Sequence, residues 1–225
     1  MSRLIIFDMD GTLIDSQDLI VAGMVTAFEG AGMIPPPRDD ILSIVGLSLD
    51  EAVHTLRPDL PAAETKDLAN AYRASFVEQR AKSGGEAIAP LYPGARAALE
   101  GLQTAGATMG VATGKAWRGL EHTYVTHDIG HFFSTSQTAD GHPSKPHPSM
   151  VLKAMAEVGA HPDQTVMIGD TEFDIAMGRA AGVRTIGVSW GYHPVARLKA
   201  AQADMIIDGY DALAATLDEL IGDPV

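Results

Sequence analysis

The stretch Phe7-Asp8-Met9-Asp10-Gly11-Thr12-Leu13-Ile14-Asp15-Ser16 (FDMDGTLIDS) decides how the rest of the chain is read. Leu4, Ile5, Ile6 and Phe7 lead into it. An unbroken apolar run this short, ended by a turn signal, predicts a strand buried on both faces. Side chains alternate along an extended chain, so Asp8 and Asp10 project to the same side at the strand's C-terminal end. Two carboxylates held side by side repel, and both stay ionised only beside a cation or strong donors. Gly11 permits a sharp turn and leaves main-chain groups open to a ligand. An Asp-Gly pair commonly closes a hairpin, but from Gln17 onward the apolar spacing is helical and no second strand follows.

The 225 residues are enough for one full core, or for one domain carrying an insertion. A composition 46% hydrophobic and 20% charged is that of an ordinary globular protein. The net charge of −13 is spread along the chain and argues against nucleic acid or an anionic membrane as partner. Without cysteine there is no disulfide, thiolate metal site or cysteine nucleophile. The N-terminal apolar run is too short for a signal peptide and stops at two aspartates, and no run reaches the length of a membrane span. A cytoplasmic protein is expected, its oligomeric state left open.

After the first strand the pattern is helical. Ile20, Val21, Met24, Val25 and Phe28 form one apolar stripe ending near Gly30 and Gly32, and Pro35 to Pro37 make a stiff connector. A short helical piece spans Asp40 to Val45. Ser48 and Glu51 have the spacing of a capping box for a helix that stops at Pro58. A further helix covers about Ala62 to Arg80, and Ser83, Gly84 and Gly85 read as a flexible return. From Pro93 the character changes to alternating helix and strand. Strands are expected at Thr108 to Thr113, Phe132 to Thr135, Thr165 to Gly169, Thr185 to Ser189 and Met205 to Ile207, with helices at Ala95 to Ala105, about Ala116 to Val125, Pro148 to Val158 and Phe173 to Ala181 and a last helix at Ala212 to Ile221. Such repeats imply an α/β fold: a Rossmann-like parallel-sheet core with helices on both faces. The expected division is a core of residues 1–15 and 89–225, with an all-helical cap of residues 16–88 inserted after the first strand.

Ligands of an open parallel sheet gather beyond the C-terminal strand ends, and the chemically suggestive residues fall there in order. The first strand delivers Asp8 and Asp10. The second ends in Thr113-Gly114-Lys115. Lys145 lies between prolines in the loop Ser144-Lys145-Pro146-His147-Pro148, and the strand Thr165 to Gly169 delivers Asp170, with Asp174 one helical turn later. Taken alone, Thr113 reads as a helix cap, Lys145 as a solvated loop lysine, and Asp170 with Asp174 as acids favoured at a helix N-terminus. Their shared placement lifts them together.

DMDGT, Thr113, Lys145 in KPHP and GDTEFD together resemble the four motifs of the haloacid dehalogenase superfamily. The helical insertion resembles that superfamily's helical-cap subgroup, similar to phosphoglycolate phosphatase. The resemblance implies a Mg²⁺-dependent phosphatase acting on a small phosphorylated metabolite through an aspartyl-phosphate. It makes Asp8 the nucleophile and Asp10 the acid and base. Asp8, the backbone carbonyl of Asp10, and Asp170 become oxygen ligands suited to Mg²⁺ and unsuited to zinc. Asp174 orients a metal-bound water or Lys145 from behind. Thr113 and the Gly114 N–H hold phosphate oxygens, and Lys145 offsets their charge.

Lys115, at the start of a helix, is expected to point outward. His142 and His147 flank Lys145 but lack a third soft ligand for a metal. The methionines at 24, 150, 155 and 177 are expected in the core, and Trp190 in packing. Two alternatives remain. A sugar phosphomutase grips a second phosphate with an arginine at the position where this chain has Leu49. A non-catalytic binder of the same fold would have lost the nucleophile or the lysine, and neither is lost.

Overall fold

Strand β1 (Leu4–Phe7) is buried along its whole length, and its alternation divides the core in two. Ile5 and Phe7 pack on one face with Met109, Val111, Val166 and Ile168. Leu4 and Ile6 pack on the other with Ala112, Met150, Met167 and Met177. Burying such side chains contributes roughly 1.5–3 kcal/mol each, which fixes β1 at the centre of the sheet. The computed structural model describes residues 3–82 and 89–222, without the side chains of 77 and 79–82. The expected return at Ser83 to Gly85 lies outside the described residues.

Four helices follow β1: α1 (Gln17–Gly30), α2 (Arg38–Ser43), α3 (Leu49–Leu56) and α4 (Ala62–Lys82). They close on a hydrophobic cluster of their own, built from Ile20, Met24, Phe28, Ile41, Val53 and Leu68 among others. The chain then alternates: α5 (Ala95–Thr104), β2 (Thr108–Thr113), α6 (Trp117–His127), β3 (Phe133–Thr138), α7 (Ser149–Val158), β4 (Thr165–Gly169), α8 (Glu172–Ala180), β5 (Arg184–Val188), α9 (Val195–Ala200), β6 (Met205–Ile207) and α10 (Leu213–Ile221). The six strands are parallel in the order β3-β2-β1-β4-β5-β6. The order reverses between β1 and β4, which places the crevice for a ligand beyond their C-terminal ends.

The chain leaves and re-enters the sheet region through one paired ribbon. Ile14 bridges Leu91 in antiparallel fashion. The Asp15 N–H donates to the Pro90 carbonyl at 2.8 Å and the Tyr92 N–H to the Leu13 carbonyl at 2.9 Å.

Three details depart from the sequence reading. Strand β3 continues to Thr138, past polar residues that pattern alone reads as loop, because β2 pairs with it as far as Thr113 opposite Thr138. Helix α9 was not expected; it is short and starts directly after Pro194, which stands at its N-cap. Ser48 precedes α3, but its side chain makes no capping bond. Instead its backbone N–H donates to Ser144 Oγ at 2.8 Å, joining the helical layer to the lysine loop. The capping box that does form is Thr171 with Asp174, at the start of α8.

Candidate active site

Beyond the ends of β1 and β4, buried carboxylates and one buried lysine meet. The β1 ladder runs on through the Asp8 N–H, which donates to the Ile168 carbonyl at 2.9 Å. This fixes Asp8 where the sheet ends, 1% exposed. Lys145, also 1% exposed, reaches it from the loop before α7, across a cis Lys145–Pro146 peptide. Its Nζ lies 3.0 Å from Asp8 Oδ1 and 2.7 Å from Asp174 Oδ1. The Asp8 contact is an ion pair without hydrogen-bond alignment, so Asp8 Oδ1 is a buried oxygen with no hydrogen-bond donor. Asp174 is fully engaged: Oδ2 accepts from the Thr171 N–H at 3.1 Å and from Thr171 Oγ1 at 2.6 Å. Asp170 accepts from Thr12 Oγ1 at 3.0 Å and from the Tyr192 N–H at 2.8 Å.

Burial raises the Asp8 carboxyl from 3.8 to about 7, against the pull of Lys145 and with the help of the Asp174 and Asp10 charges. Burial likewise pushes Asp170 well up, assisted by Asp174 and Asp8. For Lys145, burial works against the charge, but Asp174 and Asp8 outweigh it and hold the ammonium well above its ordinary value. Oxygens of Asp8, Asp170 and Asp174 lie within 4.8 Å of one another. This donor set is all carboxylate and its surplus negative charge is buried, which fits a hard divalent cation. Both oxygens of Asp170 and both of Asp174 already accept hydrogen bonds, so Asp8 Oδ1 is the buried oxygen of this cluster without a donor. The glycines beside them keep the space open. A Cβ on Gly11, whose φ is +81°, would fall 2.1 Å from Asp170 Oδ2.

Asp10 stands in the tight turn after β1, where it bridges to Ile14. Its partners correct one expectation. Lys115 does not point outward: its Nζ donates to both Asp10 oxygens, at 2.6 and 2.7 Å. The residue precedes α6, whose N-cap is Ala116, so its side chain is free to fold back toward β1. Ser16 Oγ also donates to Asp10, and Ser16 is held in turn by the Tyr192 hydroxyl, which accepts from its N–H at 2.8 Å. Ser16, Thr12, Tyr192 and Lys115 are the site residues that sequence reading missed. Lys115 carried a usable signal, since it stands at the same strand end as Thr113.

Thr113 is 1% exposed and lines the same cavity as Asp8 and Asp10, as does Gly114. Gly114 lies under the helical layer, where a Cβ would fall 2.6 Å from the Leu47 carbonyl oxygen. The cavity, of about 520 Å³, is floored by these residues and roofed by α1, α3, α4 and the segment Ile44 to Ser48. His193 adds a second tie between the layers. Its Nδ1 accepts from the Glu172 N–H at 3.2 Å, so Nε2 carries the proton and donates to the Ser43 carbonyl at 3.0 Å. The remaining expectations fall as follows. His142 binds Ser149 and Gln137, whereas His147 accepts from the Ser149 N–H, so the two form no metal pair. Met24 packs among the helices after β1, and Met150, Met155 and Met177 under the sheet. Trp190 packs against Tyr210 and donates to the Thr12 carbonyl.

A family model described as haloacid dehalogenase-like hydrolase matches residues 5–188. The chain belongs to that family. Among haloacid dehalogenase-like hydrolases and their kin, it is 34% identical to a Dickeya dadantii protein named "Probable phosphatase IndB", over 98% of this chain and 96% of that one. It is 32% identical to the pyrophosphatase PpaX of Oceanobacillus iheyensis, over 92% of each. It is 31% identical to a phosphoglycolate phosphatase of Pseudomonas putida, over 95% of this chain and 79% of that one. The fold matches a crystal structure of a hydrolase from Pseudomonas syringae with a TM-score of 0.85, at 23% identity, covering 97% of this chain and 99% of that one. As a member of the haloacid dehalogenase-like hydrolases it is an enzyme. Among the described residues, no helix is long and apolar enough to cross a membrane.

Proposed function

We propose that the chain is a Mg²⁺-dependent phosphatase that hydrolyses a small phosphomonoester through an aspartyl-phosphate on Asp8, with residues 16–88 acting as a cap over the site. The observation that carries this is the Asp8 carboxylate. It is buried at the reversal point of the sheet, paired with Lys145, and leaves one oxygen without a donor. In the first half-reaction an Asp8 oxygen bonds to phosphorus, the bond from phosphorus to the alcohol oxygen breaks, and Asp10 supplies the proton that oxygen takes. In the second, water bonds to phosphorus, its proton passes to Asp10, and the phosphorus–Asp8 bond breaks. Mg²⁺ bound by Asp8, the Asp10 carbonyl and Asp170 would offset the charge of a phosphate approaching these acids.

The chain's own residues do the positioning. Lys145, oriented by Asp174, faces Asp8 and the transferring group. Thr113 and the Gly114 N–H offer donors to the phosphate oxygens. Lys115 and Ser16 set the Asp10 carboxylate. A mutase would need a second phosphate clamp. Leu49 lies in the cavity wall, Arg38 and Arg57 pair with Asp18 and Asp59, and Arg73 pairs with Asp50. The Arg80 side chain lies outside the described residues. The test is phosphate release from p-nitrophenyl phosphate with Mg²⁺ and again in excess EDTA. Release that depends on Mg²⁺ is expected, and full activity in EDTA refutes the metal-dependent reading.

A further inference from the structure

The cavity has two unlike halves. Its floor carries Asp8, Asp10, Thr113 and Lys115. Its roof is mostly apolar, with Ile20, Met24, Val45, Leu49, Tyr72 and Phe76 beside Ser48 and the paired Asp50 and Arg73. Tyr72 and Phe76 stand against each other on α4, with ring centroids 4.9 Å apart. Tyr72 lines the same cavity as Asp10, the proposed proton donor.

All but one of the cations that such a cavity would need for a second anionic group are occupied. Lys145 is held by Asp8 and Asp174, and Lys115 by both oxygens of Asp10. Arg73, on the cavity wall, donates to Asp50 and Asn70. Among the described residues, Arg118 is the one cation of the lining without an ion-pair partner, and it is exposed. A carboxylate or second phosphate reaching the roof would lose water there and gain no partner, which is unfavourable. An apolar group would displace water from apolar walls, which is favourable.

We infer that the alcohol part of the substrate is uncharged and largely apolar, an aromatic or branched aliphatic group seated against Tyr72, Phe76 and Leu49. This rests on the phosphatase reading, and it separates the chain from relatives named for phosphoglycolate and pyrophosphate. The size of the cavity is in the usual range for a small-molecule site.

The decisive comparison is between esters of two primary alcohols, so that leaving-group chemistry does not decide it; pyrophosphate, an anhydride with a better leaving group, serves as a reference. With Mg²⁺, kcat/KM is measured for 2-phenylethyl phosphate, phosphoglycolate and pyrophosphate. Burial of one phenyl group predicts a preference of about tenfold or more for the first over the second. Leu49→Arg, which puts a cation on the roof, should shift the ratio toward phosphoglycolate by about tenfold, a change a merely structural role would not produce in that direction. Phe76→Ala should lower the preference by raising KM for the phenyl ester. Because Phe76 also packs on Gly23, the Leu49 variant provides the independent reading. Equal or better turnover of phosphoglycolate by the wild type overturns the inference, as does a ratio unmoved by Leu49→Arg. If no ester is hydrolysed at all, the phosphatase reading falls separately. The inference is then decided by calorimetric binding of 2-phenylethylphosphonate against phosphonoacetate, with tighter binding of the former supporting it and the reverse overturning it.

Discussion

Replacing Asp8 by asparagine should abolish turnover and at the same time stabilise the protein in the absence of metal. The Asp8 carboxyl is raised from 3.8 to about 7, chiefly by burial. Between those values the folded protein holds a proton that the unfolded chain has already released, so stability falls as pH rises through that window. At pH 8 the ionised form costs the fold up to about 4 kcal/mol, and at pH 5 less than half of that. Asparagine keeps the shape and removes the charge. Lys145 is not orphaned, because Asp174 Oδ1 remains 2.7 Å from its Nζ. The expected gain at pH 8 is therefore about 2–4 kcal/mol, or about 4–15 °C in Tm for a chain of this size. Urea and thermal denaturation of both proteins in EDTA at pH 8 and pH 5 would measure it, with phosphate release followed in parallel. Mg²⁺ should then stabilise wild type more than the variant. A variant no more stable than wild type at pH 8, or with the same gain at both pH values, would refute the reasoning about burial. Residual hydrolysis above about 1% of wild type, a barrier change under ~3 kcal/mol, would refute the nucleophile assignment.

Lys145→Ala should cost more in kcat/KM than Lys115→Ala, but the Asp10 contacts of Lys115 mean that its loss is also felt, by about tenfold or more in kcat. Lys145→Ala should in addition lower stability by roughly 3 kcal/mol, since it leaves two buried carboxylates without their cation; denaturation curves and steady-state kinetics read both effects. Gly114→Ala would bring a Cβ to 2.6 Å from the Leu47 carbonyl oxygen, so it should loosen the cap and raise KM with little change in global stability. His193 is lowered from 6.5 to about 4 by burial, with the Arg197 charge adding to it. Its contribution is fully present above pH 6.5 and is lost as pH falls toward 4, by at most about 3 kcal/mol, and His193→Asn should flatten stability across that window.

How far the sequence could be read follows from which forces are local. Strands β2 and β4 end where the apolar runs end, because burial on both faces leaves little choice of residue. Edge strand β3 carries Ser136, Gln137 and Thr138, whose place in the sheet comes only from pairing with β2. The places of Asp8 and Asp170 were legible because each directly follows a buried strand, where main-chain geometry limits where it can point, whereas Lys145 comes from a loop well beyond β3 and was read from its proline-flanked motif. Lys115 was misplaced because a flexible four-carbon side chain can fold toward a charge far away in sequence, here Asp10. The contact between His193 and Ser43 spans 150 residues, and no spacing rule announces it.

The ribbon in which Asp15 and Pro90 are hydrogen-bonded neighbours makes the helical layer a detour with a single doorway. The chain departs and returns at adjacent points, so the length of what lies between is uncoupled from the order of the strands. The sheet would keep every neighbour if residues 16–89 were replaced by a tight turn, because the bridge between Ile14 and Leu91 already holds the two ends in hairpin register. Helices of other lengths could be grafted at the same doorway without rewiring the sheet. In such a chain, the roof over the cavity can change by exchange of one contiguous segment while Asp8, Asp10 and Asp170 stay where they are.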